Sequence, residues 1–267
     1  MTVERDVVFA ERVGFRPLTL DLHLPEASPA PVVLFVHGGG WRLGSRRTFI
    51  PGLAEAESFG RITAAGFAVA AVDHRLSGEA RFPGPIDDVV AAIDWLVEHG
   101  AEHGVDPSRI VLWGESSGAH VAVLATLRRP EQVAGVVDWY GPADLTRLGR
   151  HLFPDDPDRF DLDPGTREAG LLGGPVGALP DLAAAASPAL QVVAGLPPFL
   201  VAHGEADELM PIAQSEALVA ALTAEGVPVE FARVPGAGHF WRGAPDVGAL
   251  FSAALDFATR MTASARR

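Results

Sequence analysis

Ile110-Val111-Leu112-Trp113-Gly114-Glu115-Ser116-Ser117-Gly118 reads as a buried apolar strand running into a glycine-flanked serine. Helical spacing from Ser117 to Leu127 follows at once. A G-x-S-x-G pattern at a strand-to-helix junction lifts a serine hydroxyl out of a tight turn. A serine there that merely capped the next helix would leave both flanking glycines unexplained. A second run, Val32 to Val36, reads as another buried strand and enters His37-Gly38-Gly39-Gly40-Trp41. Backbone N–H groups of such a glycine loop suit an oxyanion, since a Cβ would block the approach of a carbonyl oxygen. The two signals together point to acyl transfer by an activated serine.

Similar runs recur along the chain. Ala68–Val72, Val133–Trp139, Phe199–Ala202 and Val229–Val234 read as strands buried on both faces. Pro85–Glu98, Ile212–Glu225 and Val247–Arg260 have helical spacing. The first thirty residues instead alternate, most clearly in Leu18-Thr19-Leu20-Asp21-Leu22-His23-Leu24, which predicts a half-exposed antiparallel hairpin at a sheet edge. Two hairpin strands and six buried ones predict an eight-stranded, mostly parallel sheet with helices on both faces. The segment 144–183 breaks this rhythm: it is rich in Pro, Asp and Gly and shows little periodicity. We read it as a lid or short cap inserted in a single domain, against the alternative of a solvated surface excursion.

Composition narrows the function. A chain of 267 residues with 48% hydrophobic content suits one α/β domain with a large core. A formal net charge of −13 argues against nucleic acid as a partner. Cysteine is absent, which excludes disulfides, thiolate metal sites and a cysteine nucleophile. Every basic residue apart from histidine is arginine, which rules out a Ser–Lys dyad. No apolar run is long enough to span a membrane, and no signal segment follows Met1, so a cytoplasmic location is the expectation. Neither an H-E-x-x-H motif nor an aspartate-rich calcium loop occurs, so no metal or other cofactor is expected in catalysis.

A serine nucleophile needs an imidazole to take its proton and an acid to hold that imidazole. Ser116 is the nucleophile candidate. The preferred acid is Asp207, in the loop that follows strand Phe199–Ala202; Glu205, Glu208 and Asp138 are its rivals. His239 is the base candidate, because it is the one histidine that follows Asp207 in a Ser…Asp…His order. His37, His120 and His203 read as hydrogen-bonding anchors near strand ends. The oxyanion donors are expected to be the amides of Gly39, Gly40 and Ser117. Trp41, Tyr140 and Trp241 near strand ends, with His151, Phe153 and Phe160 in the cap segment, are candidates for the pocket wall. Ordinary core packing would account for the aromatic ones equally well.

Several stretches together resemble the α/β-hydrolase fold: His37-Gly38-Gly39-Gly40-Trp41, Asp73-His74-Arg75-Leu76, Phe82-Pro83 with Asp87-Asp88-Val89, and Gly104 to Ile110. Gly114 to Gly118, Ser187-Pro188, His203-Gly204 with Asp207, and Gly236-Ala237-Gly238-His239 continue the likeness. Within that fold the chain is similar to the bacterial feruloyl and acetyl-xylan esterase-like group, which borders on hormone-sensitive-lipase-like esterases and kynurenine formamidases. The resemblance implies hydrolysis of a small ester by Ser116, Asp207 and His239. Three features depart from the wider pattern. Hormone-sensitive-lipase-like enzymes carry a long N-terminal cap, whereas 36 residues precede His37; histidine stands at position 74 where tyrosine is usual; and serine stands at 117 where a small residue is common, a change expected to matter little because only the Ser117 amide is needed. An amidase or arylformamidase using the same three residues is the alternative reading, and a non-catalytic ligand-binding protein on the same fold is a more distant one.

Overall fold

The computed structural model describes residues 2–264 apart from Gly52 and Ala54. Eight strands form one sheet: β1 (Thr2–Ala10), β2 (Leu18–Leu24), β3 (Ala30–Val36), β4 (Ala68–Val72), β5 (Val105–Glu115), β6 (Val133–Trp139), β7 (Phe199–Gly204) and β8 (Val229–Val234). Their spatial order is β1-β2-β4-β3-β5-β6-β7-β8. β1 runs antiparallel to β2, and β2 runs antiparallel to β4; every later pairing is parallel. Parallel strands need crossovers, and helices supply them. The flanking helices are α1 (Glu55–Ala64), α2 (Gly84–His99), α3 (Ser117–Arg128), α8 (Ala213–Ala224) and α9 (Val247–Ser264).

Strand alternation divides the core in two. Val32, Leu34 and Val36 of β3, with Ile110 and Leu112 of β5, pack against α2, α3 and α8 through residues such as Ile93, Val123 and Leu218. The intervening Val33, Phe35, Val111 and Trp113 face α1 and α9 through Phe59, Ile62, Phe251 and Phe257. A two-sided core is why these strands are apolar at every position rather than alternating. The sheet positions the active residues because all its parallel strands end on one edge.

The hairpin differs from the half-exposed expectation. β1 is largely exposed, but β2 is covered on both sides, and its polar Asp21 and His23 are almost fully buried. Asp21 is tolerated inside because Arg46 Nε, Arg47 Nε, Arg5 Nη1 and the amide of Asp6 all donate to it at 2.8–2.9 Å. Burial pushes its pKa up, but the bonds from Arg47, Asp6 and Arg46 outweigh that and hold it well below the usual carboxylate range. Arg46 also reaches Asp73 and Asp6, tying the hairpin to the loops that follow β3 and β4.

The 144–183 segment is not an irregular loop. It folds into α4 (Leu145–Leu152), α5 (Asp158–Asp161), α6 (Arg167–Leu172) and α7 (Pro180–Ala185). Asp144 caps α4 by accepting from Thr146 N at 3.0 Å, and Thr166 caps α6 by accepting from Ala169 N at 3.1 Å. α1, between β3 and β4, is another element that the apolar spacing did not announce. Among the described residues, no helix is long and apolar enough to cross a membrane.

Asp88 of α2 is fully buried and receives Arg75 N at 2.9 Å, Arg75 Nε and Nη2 at 2.8 Å, and Arg12 Nε at 3.3 Å. Truncation would strand partly buried guanidinium groups without a counter-charge. Asp88→Ala is expected to cost about 3 kcal/mol of stability. A urea titration should show a lower midpoint at unchanged slope; an unmoved midpoint would mean the cluster adds nothing.

Candidate active site

The strand-to-helix turn comes first. Ser116 joins β5 to α3 with φ 52° and ψ −126°, a backbone state that side chains other than glycine seldom adopt. Its amide donates to Trp139 O at 2.8 Å, and its carbonyl accepts from Ala119 N at 3.0 Å. Both neighbouring glycines are required by close approach. A Cβ on Gly118 would collide with the carbonyl oxygens of Val36 and His37, and one on Gly114 would come within 2.5 Å of Ala119 N. The serine is thus held at the top of the sheet by packing of backbone against backbone.

His239 lies between Ser116 and Asp207. Its Nε2 accepts from Ser116 Oγ at 3.0 Å, and its Nδ1 donates to Asp207 Oδ2 at 2.6 Å. Asp207 Oδ1 accepts from the amides of Leu209 at 2.9 Å and Met210 at 2.8 Å, which fix the carboxylate plane. Burial pushes the Asp207 pKa up, but the hydrogen-bonding and charge of His203, His239 and the Met210 amide hold it below the ordinary range. A carboxylate that stays ionised beside Nδ1 favours the tautomer whose Nε2 can accept a proton. His203 braces this acid from behind: its Nε2 donates to Met210 O and its Nδ1 accepts from Ser215 Oγ, both at 2.7 Å.

The glycine loop stands opposite. Gly39 has φ 112° and Gly40 φ 62°, and a Cβ on Gly39 would strike the Leu43 carbonyl. Two contacts fasten this loop to the nucleophile turn: Gly38 N donates to Glu115 Oε1 at 2.7 Å, and Trp41 N donates to Ser117 Oγ at 3.2 Å. The Ser117 hydroxyl therefore has a use beyond its backbone amide. His37 stacks on His74 with centroids 4.5 Å apart, and its Nδ1 donates to Gly38 O at 2.7 Å. Burial first, then the neighbouring His74, pushes the His37 pKa down to about 3, so it braces the loop as a neutral ring.

A cavity of about 230 Å³ opens over Ser116 and His239, walled by Gly39, Gly40, Leu43, Arg167, Leu209 and Phe240. The six residues expected on its wall are elsewhere. Trp41 is buried against His120 and donates to its Nδ1 at 3.3 Å. Tyr140 is buried beneath the His239 ring, centroids 4.7 Å apart, and Trp241 continues that inner aromatic cluster against Trp139. His151 lines a separate cavity of about 630 Å³ in the cap and accepts from Gln214 Nε2 at 3.0 Å. Trp41, Tyr140 and Trp241 share a physical reason: each ring is almost fully buried in the two core clusters. Phe153 and Phe160 line an adjoining cavity of about 410 Å³. Leu43, Arg167, Leu209 and Phe240 were missed; Phe240 follows His239 directly, but nothing in the spacing marks the other three.

Of the rival acids, Asp138 is buried and accepts from Gly141 N at 2.9 Å; burial pushes its pKa up to about 6. Glu205 pairs outward with Arg233 at 2.8 Å, and Glu208 lines the adjoining cavity. None of the three is bonded to His239.

Residues 20–222 match the BD-FAE family. The chain belongs to that family. Among relatives, it is 36% identical over 215 residues to the carboxylesterase NlhH of Mycobacterium tuberculosis, covering 77% of this chain and 64% of that one. It is 31% identical over 243 residues to the esterase LipQ of the same organism, covering 85% of this chain and 55% of that one. The chain thus spans roughly half to two thirds of these curated relatives. A solved truncated carbohydrate esterase from gut microbiota superposes with a TM-score of 0.85 at 29% identity, covering 98% of this chain and 97% of that one. A bacterial heroin esterase gives a TM-score of 0.74 at 27% identity, covering 98% and 84%. The α/β-hydrolase architecture of this BD-FAE chain is therefore shared nearly end to end with enzymes of that kind.

Glu115 is unusual among the buried acids at the site. Its Oε1 accepts from Gly38, whereas neither its Oε2 nor the hydroxyl of nearby Tyr140 has a hydrogen-bond partner among the described residues. Burial pushes its pKa up to about 8, against the opposing pull of the Gly38 amide. The folded protein therefore holds a proton that the unfolded chain releases near pH 4.5, and stability from this residue declines as pH rises from about 5 to about 8. Glu115→Gln removes that term. In paired urea titrations, the variant's stability relative to wild type should rise across that window; a pH-independent difference would contradict a protonated Glu115.

Proposed function

We propose that this protein is a carboxylesterase that hydrolyses small esters through a covalent acyl-enzyme. The hydrogen-bonded line from Ser116 through His239 to Asp207, 3.0 Å and then 2.6 Å, carries the reading. In the first step Ser116 Oγ attacks the ester carbonyl while His239 Nε2 takes its proton. The oxyanion accepts from the amides of Gly39, Gly40 and Ser117, and removing one such donor typically costs about two to three powers of ten in rate. Collapse breaks the bond to the alcohol, which leaves with the proton from His239. Water then repeats the sequence on the acyl-serine, with His239 as base, and releases the acid. Asp207 stays ionised throughout and holds the ring.

The names of the relatives support the ester class, and the cavity supports small substrates. A volume of about 230 Å³ walled by Leu43, Leu209 and Phe240 admits a short acyl chain against apolar surface. The cap formed by 144–183 is part of this proposal as the roof over that cavity, since Arg167 belongs to its wall.

Hydrolysis of p-nitrophenyl acetate, butyrate and octanoate by wild type and Ser116→Ala tests the reading. Turnover of acetate and butyrate above octanoate, abolished in the variant, is the expected result. Asp207→Asn should fold normally and lose about three to four powers of ten in kcat. Equal turnover by wild type and Ser116→Ala would refute the mechanism.

A further inference from the structure

Arg167 reaches from the cap into the site. Its side chain lines the catalytic cavity beside Gly40 and Leu209, and it also lines the adjoining cavity of about 410 Å³ with Phe153, Arg159 and the acids Asp163, Glu168 and Glu208. Arg167 and Leu209 are the residues common to both walls, so the two cavities meet at this pair. The stem lies across the oxyanion loop: a Cβ built on Gly40 would come within 2.5 Å of Arg167 Cδ and 3.3 Å of its Nε. The stem therefore packs on the loop while the residue as a whole stays exposed, at the mouth of the site.

Its neighbours of like charge are occupied. Arg42 donates to the carbonyls of Gly165 and Thr166, the first at 2.9 Å, and Arg159 stacks over the Phe153 ring at 4.6 Å. Arg46, Arg47 and Arg75 are each bound to aspartates. Arg167 makes no hydrogen bond with any described residue; the acid beside it, Glu168, is buried, and burial pushes its pKa up against the opposing pull of the Arg167 and Arg42 charges. Apart from Ser116 and His239, the rest of the catalytic cavity wall is glycine, leucine and phenylalanine. An arginine fork with no hydrogen-bonded carboxylate, at the wall of a reaction centre, matches a planar anion on the ligand.

Resting on the esterase reading above, we propose that Arg167 is a specificity-determining residue that selects esters bearing a carboxylate near the scissile bond, with the charged end seated where the two cavities meet. The class comprises half-esters of short dicarboxylic acids, if the anion is on the acyl side, or esters of acidic alcohols and phenols, if it is on the leaving group. The protein's net charge of −13 disfavours anions in general, so a preference for them needs a local cation such as this one.

Two matched pairs distinguish the sources. On the acyl side, mono-p-nitrophenyl succinate is compared with its methyl-capped neutral counterpart; on the leaving-group side, 4-acetoxybenzoate is compared with methyl 4-acetoxybenzoate. Spontaneous hydrolysis is subtracted in each case. For one pair, wild type should favour the anion in kcat/KM by about tenfold, the scale of one charge-assisted contact. The ratio should collapse toward one in Arg167→Gln, persist in part in Arg167→Lys, and weaken in about 0.5 M salt. Ratios at or below one in both pairs, or a preference that Arg167→Gln leaves intact, would overturn the inference while leaving the esterase reading in place. If wild type cleaves neither member of either pair faster than Ser116→Ala, the esterase reading itself fails, and this inference falls with it.

Discussion

The contact on which the site depends is between backbones: the first turn of α3 lies against the end of β3 at Gly118. A side chain there would strike the carbonyls of Val36 and His37. This approach fixes Ser116 relative to the chain segment that becomes the glycine loop, so the proposed nucleophile and the proposed oxyanion donors share one origin. Ser116, at the junction of β5 and α3, has a positive φ beside this approach. Strain of this kind costs about 1–3 kcal/mol at each residue and persists only where the surroundings over-determine it. Here the surroundings are a fully buried helix and a two-sided parallel sheet.

Strain is concentrated around the site. Among the described residues outside glycine, φ is positive at Asp6, Trp41, Ser116, Tyr140, Phe240 and Trp241, and all but Asp6 adjoin the catalytic turn, the glycine loop or His239. What holds them is an inner aromatic layer, in which Tyr140, Trp241, Trp139, Trp113 and Phe49 meet largely edge to face. The indole nitrogens of Trp113, Trp139 and Trp241 have no hydrogen-bond partner there. The cluster thus sacrifices polar satisfaction for shape, and the shape keeps the His239 loop in place.

Much of this was legible in the residues, for identifiable reasons. Strands buried on both faces are written as unbroken apolar runs, and a catalytic turn that forbids Cβ atoms is written as glycines, so both survive in sequence. The chain order of Ser116, Asp207 and His239 also survives, because strand ends on one sheet edge come in a fixed succession. The cavity wall was not legible. Leu43, Arg167 and Leu209 come from three separate loops and short helices, brought together by tertiary packing that no local period encodes. Conversely Trp41, Tyr140 and Trp241 look like pocket residues by position, and only their tertiary packing reveals that they belong to the core. Asp21 misled in the same way: a polar residue on an alternating strand reads as exposed until its arginine partners are known. The cap helices were hidden because runs of four to eight residues punctuated by Pro and Gly are too short to show a period.

The hydrogen bonds that assemble the site span long stretches of chain. Ser116 and His239 are 123 residues apart, Gly38 and Glu115 are 77 apart, and Trp41 and Ser117 are 76 apart. Contacts of such separation close late, after the loop entropy between them has been overcome. A partly folded chain can therefore hold much of its helix and sheet while Ser116 and His239 are still apart. The Ser116–His239 contact marks finished molecules, whereas recovered secondary structure counts finished and unfinished ones alike.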